Sequence, residues 1–175
     1  MTVADWTAPA PERRVPDLIA TERSGLEQWI DYHRATLLTK CAGLSAAQLK
    51  ERACQPSTLS LLGLVRHMTE VERWWFRMYA NGEDLTSLYD PDRVGLDFDD
   101  LEGADADANI DAYWQEVDAA RAAVAAKKLD DLVRGDHPEH TRDVRWIFLH
   151  MLEEYARHNG HADFLREAID GETGD

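Results

Sequence analysis

Positive charge is scarce in this sequence. Lysine and arginine together number 19 against 34 aspartates and glutamates, which gives a formal net charge of −15 at pH 7. A protein that binds nucleic acid needs a basic surface to displace counterions from phosphates, and anionic lipid surfaces attract basic segments in the same way. The composition therefore predicts neither a nucleic-acid partner nor a membrane partner, and it favours solubility.

Long apolar runs and cysteines are scarce as well. No run of about 18 apolar residues exists, so we expect no membrane-spanning helix. The first residues, MTVADWTAPAPERR, lack the basic segment followed by an apolar segment that is typical of a secretory leader. The two cysteines, Cys41 and Cys54, form no CxxC pair. We therefore expect a reduced, cytoplasmic protein with two free thiols.

Several catalytic motifs are absent. The sequence contains no HExxH, GxSxG, GxGxxG or P-loop pattern. Zincin, α/β-hydrolase and nucleotide-binding functions therefore find no support. The paired ExxH motifs of a ferritin-like di-iron centre are missing too.

The sequence does contain four stretches with an apolar period of about 3.6 residues. They cover about 17–41, about 57–80 after a cap at Ser57 or Thr58, about 108–128 and about 144–169. Asn81-Gly82, Gly135 with Pro138, and Asp170-Gly171 interrupt or end them. A long acidic connection separates the second and third stretches, and we expect it to cross the surface. The pattern predicts an all-α protein built as a four-helix bundle.

The fourth stretch carries polar side chains inside its apolar row. The row runs through Ile147, Met151, Glu154, His158, His161 and Leu165 at spacings of three or four. In the second stretch, His67 lies in the same kind of row between Leu64 and Val71. These spacings place the polar side chains on the sides of the two helices that should face the core.

A shared cation is one way to satisfy these inward polar groups. A carboxylate buried without a partner costs several kcal/mol. Glu154 and His158 lie one turn apart, and His67 from a facing helix completes two imidazoles and one carboxylate, a set that suits Zn, Ni, Mn or Fe(II). Two alternatives remain open: an i,i+4 hydrogen-bonded pair of Glu154 and His158, and a hydrogen-bonded core histidine at His67.

Two runs of the sequence resemble the DinB-like superfamily. They are LLGLVRHMTEVERWWFRMYANG, at 61–82, and RWIFLHMLEEYARHNGHADFLREAIDG, at 145–171. The nearest resemblance is to the actinobacterial branch allied to mycothiol-dependent maleylpyruvate isomerases and thiol-S-transferases. The resemblance covers 10–172 as one domain and implies a four-helix bundle with up-down-down-up connectivity. It also implies a metal held by His67, Glu154 and His158. Many relatives have histidine where this chain has Glu154, whereas the maleylpyruvate isomerase type has glutamate.

His161 lies one turn beyond His158, and three roles are open to it. We favour a general base or a partner that orients the site over a fourth ligand. Four other histidines are weaker candidates, since the first two fit core packing and the last two lie in a polar loop: His150, His33, His137 and His140.

Arginines at the bundle mouth are candidates for binding an acidic thiol or a small carboxylate. For Arg157 we expect a surface ion pair with Glu153 or Asp163 instead. The remaining candidates are Arg73, Arg145 and Arg166. Three tryptophans fit core or interface packing better than a ligand cage: Trp74, Trp75 and Trp146.

The candidate ligands predict a metal site, and the family resemblance implies a metal-dependent transferase or isomerase acting on a small thiol or thiol adduct. We expect Zn or Ni at the centre, with Fe or Mn as alternatives, and His161 as the catalytic base. The alternatives are a non-catalytic bundle that binds a metal or a small molecule and acts in stress response, and a plain bundle with a hydrogen-bonded polar core. Exposed aromatic residues favour a homodimer.

Overall fold

A computed structural model describes residues 6–89, 92, 95–134 and 140–174. In chain order the elements are α1 (Glu22–Cys41), α2 (Ala46–Leu49), α3 (Leu61–Glu72) with a π-helical continuation (Arg73–Ala80), α4 (Leu96–Asp99), α5 (Ala106–Val124), the antiparallel strands β1 (Leu132–Arg134) and β2 (Thr141–Asp143), and α6 (Val144–Asp170). The predicted breaker Gly135 with Pro138 lies outside the described residues, as does His137.

Side-chain caps define where the long helices begin. Thr21, Ser60, Asp105 and Asp143 each accept a hydrogen bond from a backbone N–H in the first turn of the helix that follows. The second helix therefore begins at Leu61, after Ser60, and not after the predicted cap at Ser57 or Thr58. At the other end of the chain, α6 stops at Gly171, whose φ of 80° suits a residue without a side chain.

Pairs of contacts at both ends give the helix directions. Glu22 pairs with Arg145 and Lys40 with Asp163, so α1 and α6 run parallel. Arg66 contacts Asn109 and Arg73 contacts Glu116, so α3 and α5 also run parallel.

The α3 and α6 helices run in opposite directions. The ring of His67 lies beside His158, while Trp75, one turn after α3 ends, lies beside Trp146. Together with the two parallel pairs, this gives the up-down-down-up order. The predicted all-α bundle is confirmed, with one small hairpin added.

A polar cluster lies at the centre of the bundle. The guanidinium of Arg34 on α1 donates to both carboxylate oxygens of Glu72 on α3, over 2.7 and 2.6 Å. Tyr155 of α6 donates to the same carboxylate, and its hydroxyl lies 2.9 Å from that of Tyr113 on α5. Each of the four long helices therefore supplies one member of a hydrogen-bonded cluster that is closed to solvent.

The structure adds elements that the apolar period did not predict. The α2 and α4 helices have only four residues each, and the β1–β2 hairpin lies just before α6. The acidic connection between the second and third helices is therefore not a plain surface crossing, since α4 packs on α3. None of the described helices is both long and apolar enough to cross a membrane.

Candidate metal centre

His67 lies in the second turn of α3 and is held on two sides by α4. Its Nδ1–H donates to Asp97 Oδ2 over 2.7 Å. Its ring also stacks on Phe98, with the two ring centroids 4.4 Å apart. A histidine that donates its Nδ1–H to a carboxylate has its ring orientation fixed and directs Nε2 toward the opposite side, and this arrangement orients many metal-binding histidines.

The structure brings the three predicted ligands together. Glu154 and His158 lie one turn apart on α6, with 3.5 Å between Glu154 Oε2 and His158 Nε2. One potential ligand atom from each of His67, Glu154 and His158 can be chosen so that all three lie within 4.8 Å of one another. A single cation between the two helices is within reach of such a set.

The electrostatic environment keeps His158 uncharged. Its pKa is lowered to about 4, first by burial and then by repulsion from the imidazoles of His67 and His161. Its ring nitrogens therefore carry no second proton at neutral pH. Burial is the largest single influence on Asp97 and acts to raise its pKa, but the hydrogen bond from His67, the charge of His67 and two backbone N–H groups together lower the pKa of this carboxyl. Metal binding requires a neutral imidazole, as at His158, and is favoured by an ionised carboxylate that contacts a ligating histidine, as Asp97 contacts His67.

The second oxygen of Glu154 faces a different histidine. Glu154 Oε1 lies 3.4 Å from His150 Nε2, and His150 Nδ1 lies 3.4 Å from Glu153 Oε2. The ring of His150 packs between Trp75 and Trp146, with centroid distances of 4.6 and 5.0 Å. His150, Glu153 and Glu154, all on α6, form a second group whose potential ligand atoms lie within 4.8 Å of one another. They all lie on one helix, whereas the first group joins two helices.

His161 lies beside the group of three and not within it. Its Nδ1 is 3.4 Å from Nδ1 of His158, and its side chain is otherwise largely exposed. This distance suits a group that orients His158 or exchanges a proton near the centre.

Asp97 is a candidate site residue that sequence reasoning missed, since its carboxylate contacts His67. Three contacts hold its helix against α3. Arg66 donates to the carbonyl oxygens of Asp97 and Leu96 over 2.9 and 3.2 Å. Gly63 lets the backbone of Phe98 approach closely, because a Cβ at this position would lie 3.0 Å from the Phe98 oxygen. Two sequence features could have indicated this contact: the LDFD run after Gly95, and the glycine at position 63, one turn before His67.

The remaining histidine candidates lie elsewhere. His33 contacts Asn159, which donates to its backbone oxygen, and burial lowers the pKa of the His33 imidazole. His140 is exposed just before β2.

The arginine candidates are engaged in other contacts. Arg157 lies 3.5 Å from Glu153, one of the two expected partners. Arg73 pairs with Glu116, Arg145 with Glu22, and Arg166 donates to the Lys40 oxygen. The two cysteines are free, as predicted.

A comparison with protein-family models identifies the family of this chain. A family model for mycothiol-S-transferase matches residues 25–171, which is most of the chain. A comparison with curated proteins gave no match. The predicted DinB-like, mycothiol-related relationship is therefore confirmed, and the chain belongs to the mycothiol-S-transferase family.

Proposed function

We propose that this protein is a divalent-metal-dependent enzyme that transfers or isomerises a small thiol or thiol adduct. The observation that carries the proposal is the convergence of His67, Glu154 and His158 across two helices, with ligand atoms within 4.8 Å. Two imidazoles and one carboxylate suit Zn or Ni first, with Fe or Mn as alternatives. Mycothiol, the thiol named by the family, is the proposed thiol substrate.

The donor set has the features of a catalytic site. Three protein ligands leave coordination positions open, whereas structural zinc sites use four. When bound, the cation would stabilise the thiolate over the thiol and so make the sulfur a nucleophile at neutral pH. Asp97 accepts the Nδ1–H of His67 and so fixes the orientation of the ring, which leaves Nε2 as the nitrogen that would hold the cation. We assign His161 the removal of the thiol proton, because its ring adjoins His158 and opens to solvent.

Metal analysis together with a transfer assay tests this function. The chain is purified without a histidine tag and incubated with each of the four metals. We expect one divalent ion per chain, lost in His67→Ala and in His158→Ala but retained in the control His140→Ala, whose side chain is exposed and belongs to neither candidate ligand group. Transfer of the thiol to a fluorescent electrophile is then measured with the metal-loaded protein.

Two outcomes would overturn the proposal. A parent chain that takes up no metal would remove its basis. Metal binding without turnover of mycothiol or other small thiols would instead indicate a non-catalytic metal-binding bundle.

A further inference from the structure

We propose that a cavity beside the π-helical continuation of α3 binds a small zwitterion with an apolar body, namely a free amino acid or a short peptide. The cavity has a volume of about 550 Å³, and we call it the π-segment cavity. Among the described residues, it shares no lining member with either candidate ligand group. Its walls include Trp74, Met78, Tyr79, Asp84, Leu85 and Arg134.

The π-helical segment brings three of these residues to one side of the helix. An α-helix advances about 100° per residue, so side chains five positions apart point about 140° away from each other. In a π-helix the hydrogen bonds join residues five apart, which places those residues about one turn from each other. Over Arg73–Ala80, Trp74 therefore shares a side with both Met78 and Tyr79. Such turns are rare and occur frequently at functional sites, so their presence here favours a ligand.

The hydroxyl of Tyr79 is buried, and it has no hydrogen-bond partner among the residues that the structure describes. Burying a hydroxyl without a partner is unfavourable, and proteins retain few such groups. The ring of Tyr79 packs against Trp75, with 5.2 Å between the ring centroids, which fixes its position. A polar group of a molecule bound in the cavity would supply the missing partner.

Two side chains of opposite charge line the same cavity without pairing. Neither Asp84 nor Arg134 has an ion pair or a side-chain hydrogen bond within the described part of the chain. The third charged member, Glu83, is already paired with Arg77 over 2.8 Å. A ligand with a single charge would leave Asp84 or Arg134 without a partner. A ligand that carries both an ammonium and a carboxylate would satisfy both side chains.

The remaining walls of the cavity suit an apolar body between the two charges. Trp74 is 45% exposed, which leaves a face of its indole for a flat group. Met78 and Leu85 add apolar surface, and methionine adapts readily to the shape of a ligand. The volume lies within the range of small-molecule sites, which is about 300–1,000 Å³. These features together select an amino acid or a peptide with a large apolar side chain.

Isothermal titration calorimetry with L-phenylalanine as the probe tests the proposal. N-acetyl-L-phenylalanine lacks the ammonium charge, and L-phenylalanine amide lacks the carboxylate. We expect L-phenylalanine to bind about tenfold more tightly than either derivative. The dipeptide L-phenylalanylglycine carries the same two charges farther apart. Tighter binding of the dipeptide would identify a short peptide as the ligand, and tighter binding of L-phenylalanine a free amino acid.

Two charge variants assign each end of the probe to one side chain. Arg134→Gln should remove the preference for L-phenylalanine over its amide, while the preference over the N-acetyl derivative remains. Asp84→Asn should show the reverse pattern. A general disturbance of the fold would weaken all three compounds together, so this reciprocal loss is specific to binding at the two charges.

Two aromatic variants test the walls. Trp74→Ala should weaken L-phenylalanine by about tenfold, whereas Trp29→Ala, at a position of α1 that is 48% exposed and lies outside the cavity, should have no effect. Tyr79→Phe should weaken the probe by about fivefold without lowering the urea midpoint of the free protein. The free protein has no hydrogen bond of this hydroxyl to lose within its described residues.

A variant of the metal centre separates this inference from the proposed function. His158→Ala should bind L-phenylalanine as the parent does, because the two sites share no residue among those described. Loss of binding in His158→Ala would assign the probe to the metal centre and overturn the proposal. Equal affinities for the three phenylalanine compounds, unchanged by Trp74→Ala, would also overturn it. The same holds if neither L-phenylalanine nor the dipeptide shows saturable binding at millimolar concentration.

Discussion

The ring of His67 makes one side-chain hydrogen bond within the described residues, from its Nδ1–H to Asp97 over 2.7 Å. We expect Asp97→Asn to weaken zinc affinity by about tenfold or more, because the loss of such a partner charge typically costs about 10–100-fold. A competition titration with a chromophoric chelator measures the change. Asp99→Ala is the control, because Asp99 lies on the same short helix but pairs with Arg52. Equal zinc affinities in parent and Asp97→Asn would contradict the assigned role.

The thiol of Cys41 makes the fold sensitive to alkaline pH. Burial raises its pKa to about 12, although Arg166 acts in the opposite direction. The folded state thus holds this proton more tightly than the unfolded state, whose thiol has a pKa of about 8.5. The stabilisation is complete below about pH 8 and is lost as the pH rises toward about 12.

Urea unfolding in the presence of a reductant measures this loss. Between about pH 8 and about pH 10.5 we expect Cys41 to account for a fall of about 2 kcal/mol in the free energy of unfolding. Cys41→Ala should lack this part of the fall, so that its pH profile is flatter than that of the parent. Parallel profiles for the two proteins would show that Cys41 does not titrate in this range.

The sequence allowed prediction of those candidate site residues that follow the helical period. Glu154, His158 and His67 interrupt apolar rows, so their inward direction follows from spacing. Asp97 belongs to no such row. Its contact with His67 spans 30 residues and depends on how one short segment folds back, which local spacing does not encode.

At the scale of elements, α4 is the part that completes the site. It contains only four residues and begins at Gly95, whose φ of 88° lies in the left-handed region. A helix of one turn is unstable alone, so its position comes from contacts with α3. For the same reason the four long helices could be predicted from the apolar period, whereas α2, α4 and the hairpin could not.

Gly63 allows the close packing of α4 on α3. A Cβ there would lie 3.0 Å from the Phe98 oxygen and 3.1 Å from Ser60 Oγ. We expect Gly63→Ala to change the free energy of unfolding by less than about 1 kcal/mol, because better helix propensity offsets the steric strain. Zinc affinity should nevertheless fall severalfold, because α4 carries Asp97 away from His67.

Gly25→Ala is the matched control for this substitution. Gly25 also lies inside a helix, and the nearest neighbour of an added Cβ is 4.0 Å away. It should gain stability and leave zinc affinity unchanged. If Gly63→Ala kept the affinity of the parent, the close approach of α4 would have no part in the centre.

At the scale of the whole molecule, hydrogen bonds in one buried cluster connect the four long helices. The cluster consists of Arg34, Glu72, Tyr155 and Tyr113. We expect Arg34→Met alone to lower the free energy of unfolding by about 3–5 kcal/mol, because it leaves the Glu72 carboxylate buried without its cation. Replacing both charges, with Arg34→Met and Glu72→Leu together, should restore most of that loss. Urea denaturation measures both variants.

An exposed ion pair provides the comparison for the buried one. Arg14→Met breaks the contact of Arg14 with Asp17 at the surface, and we expect a change below about 0.5 kcal/mol. A double variant as unstable as Arg34→Met would show that the cluster contributes more than mutual neutralisation of two buried charges.

Parallel pairing of α1 with α6 also sets an order of events during synthesis. The ribosome releases His67 well before Glu154 and His158, and α1 leaves the exit tunnel long before the helix on which it packs. A nascent chain that ends before α6 holds one proposed ligand out of three. In such a chain the apolar side of α1 that packs on α6 is exposed to solvent, and exposed apolar surface of this kind is what chaperones bind. Under the proposed function, the metal can therefore be bound only after α6 has been synthesised.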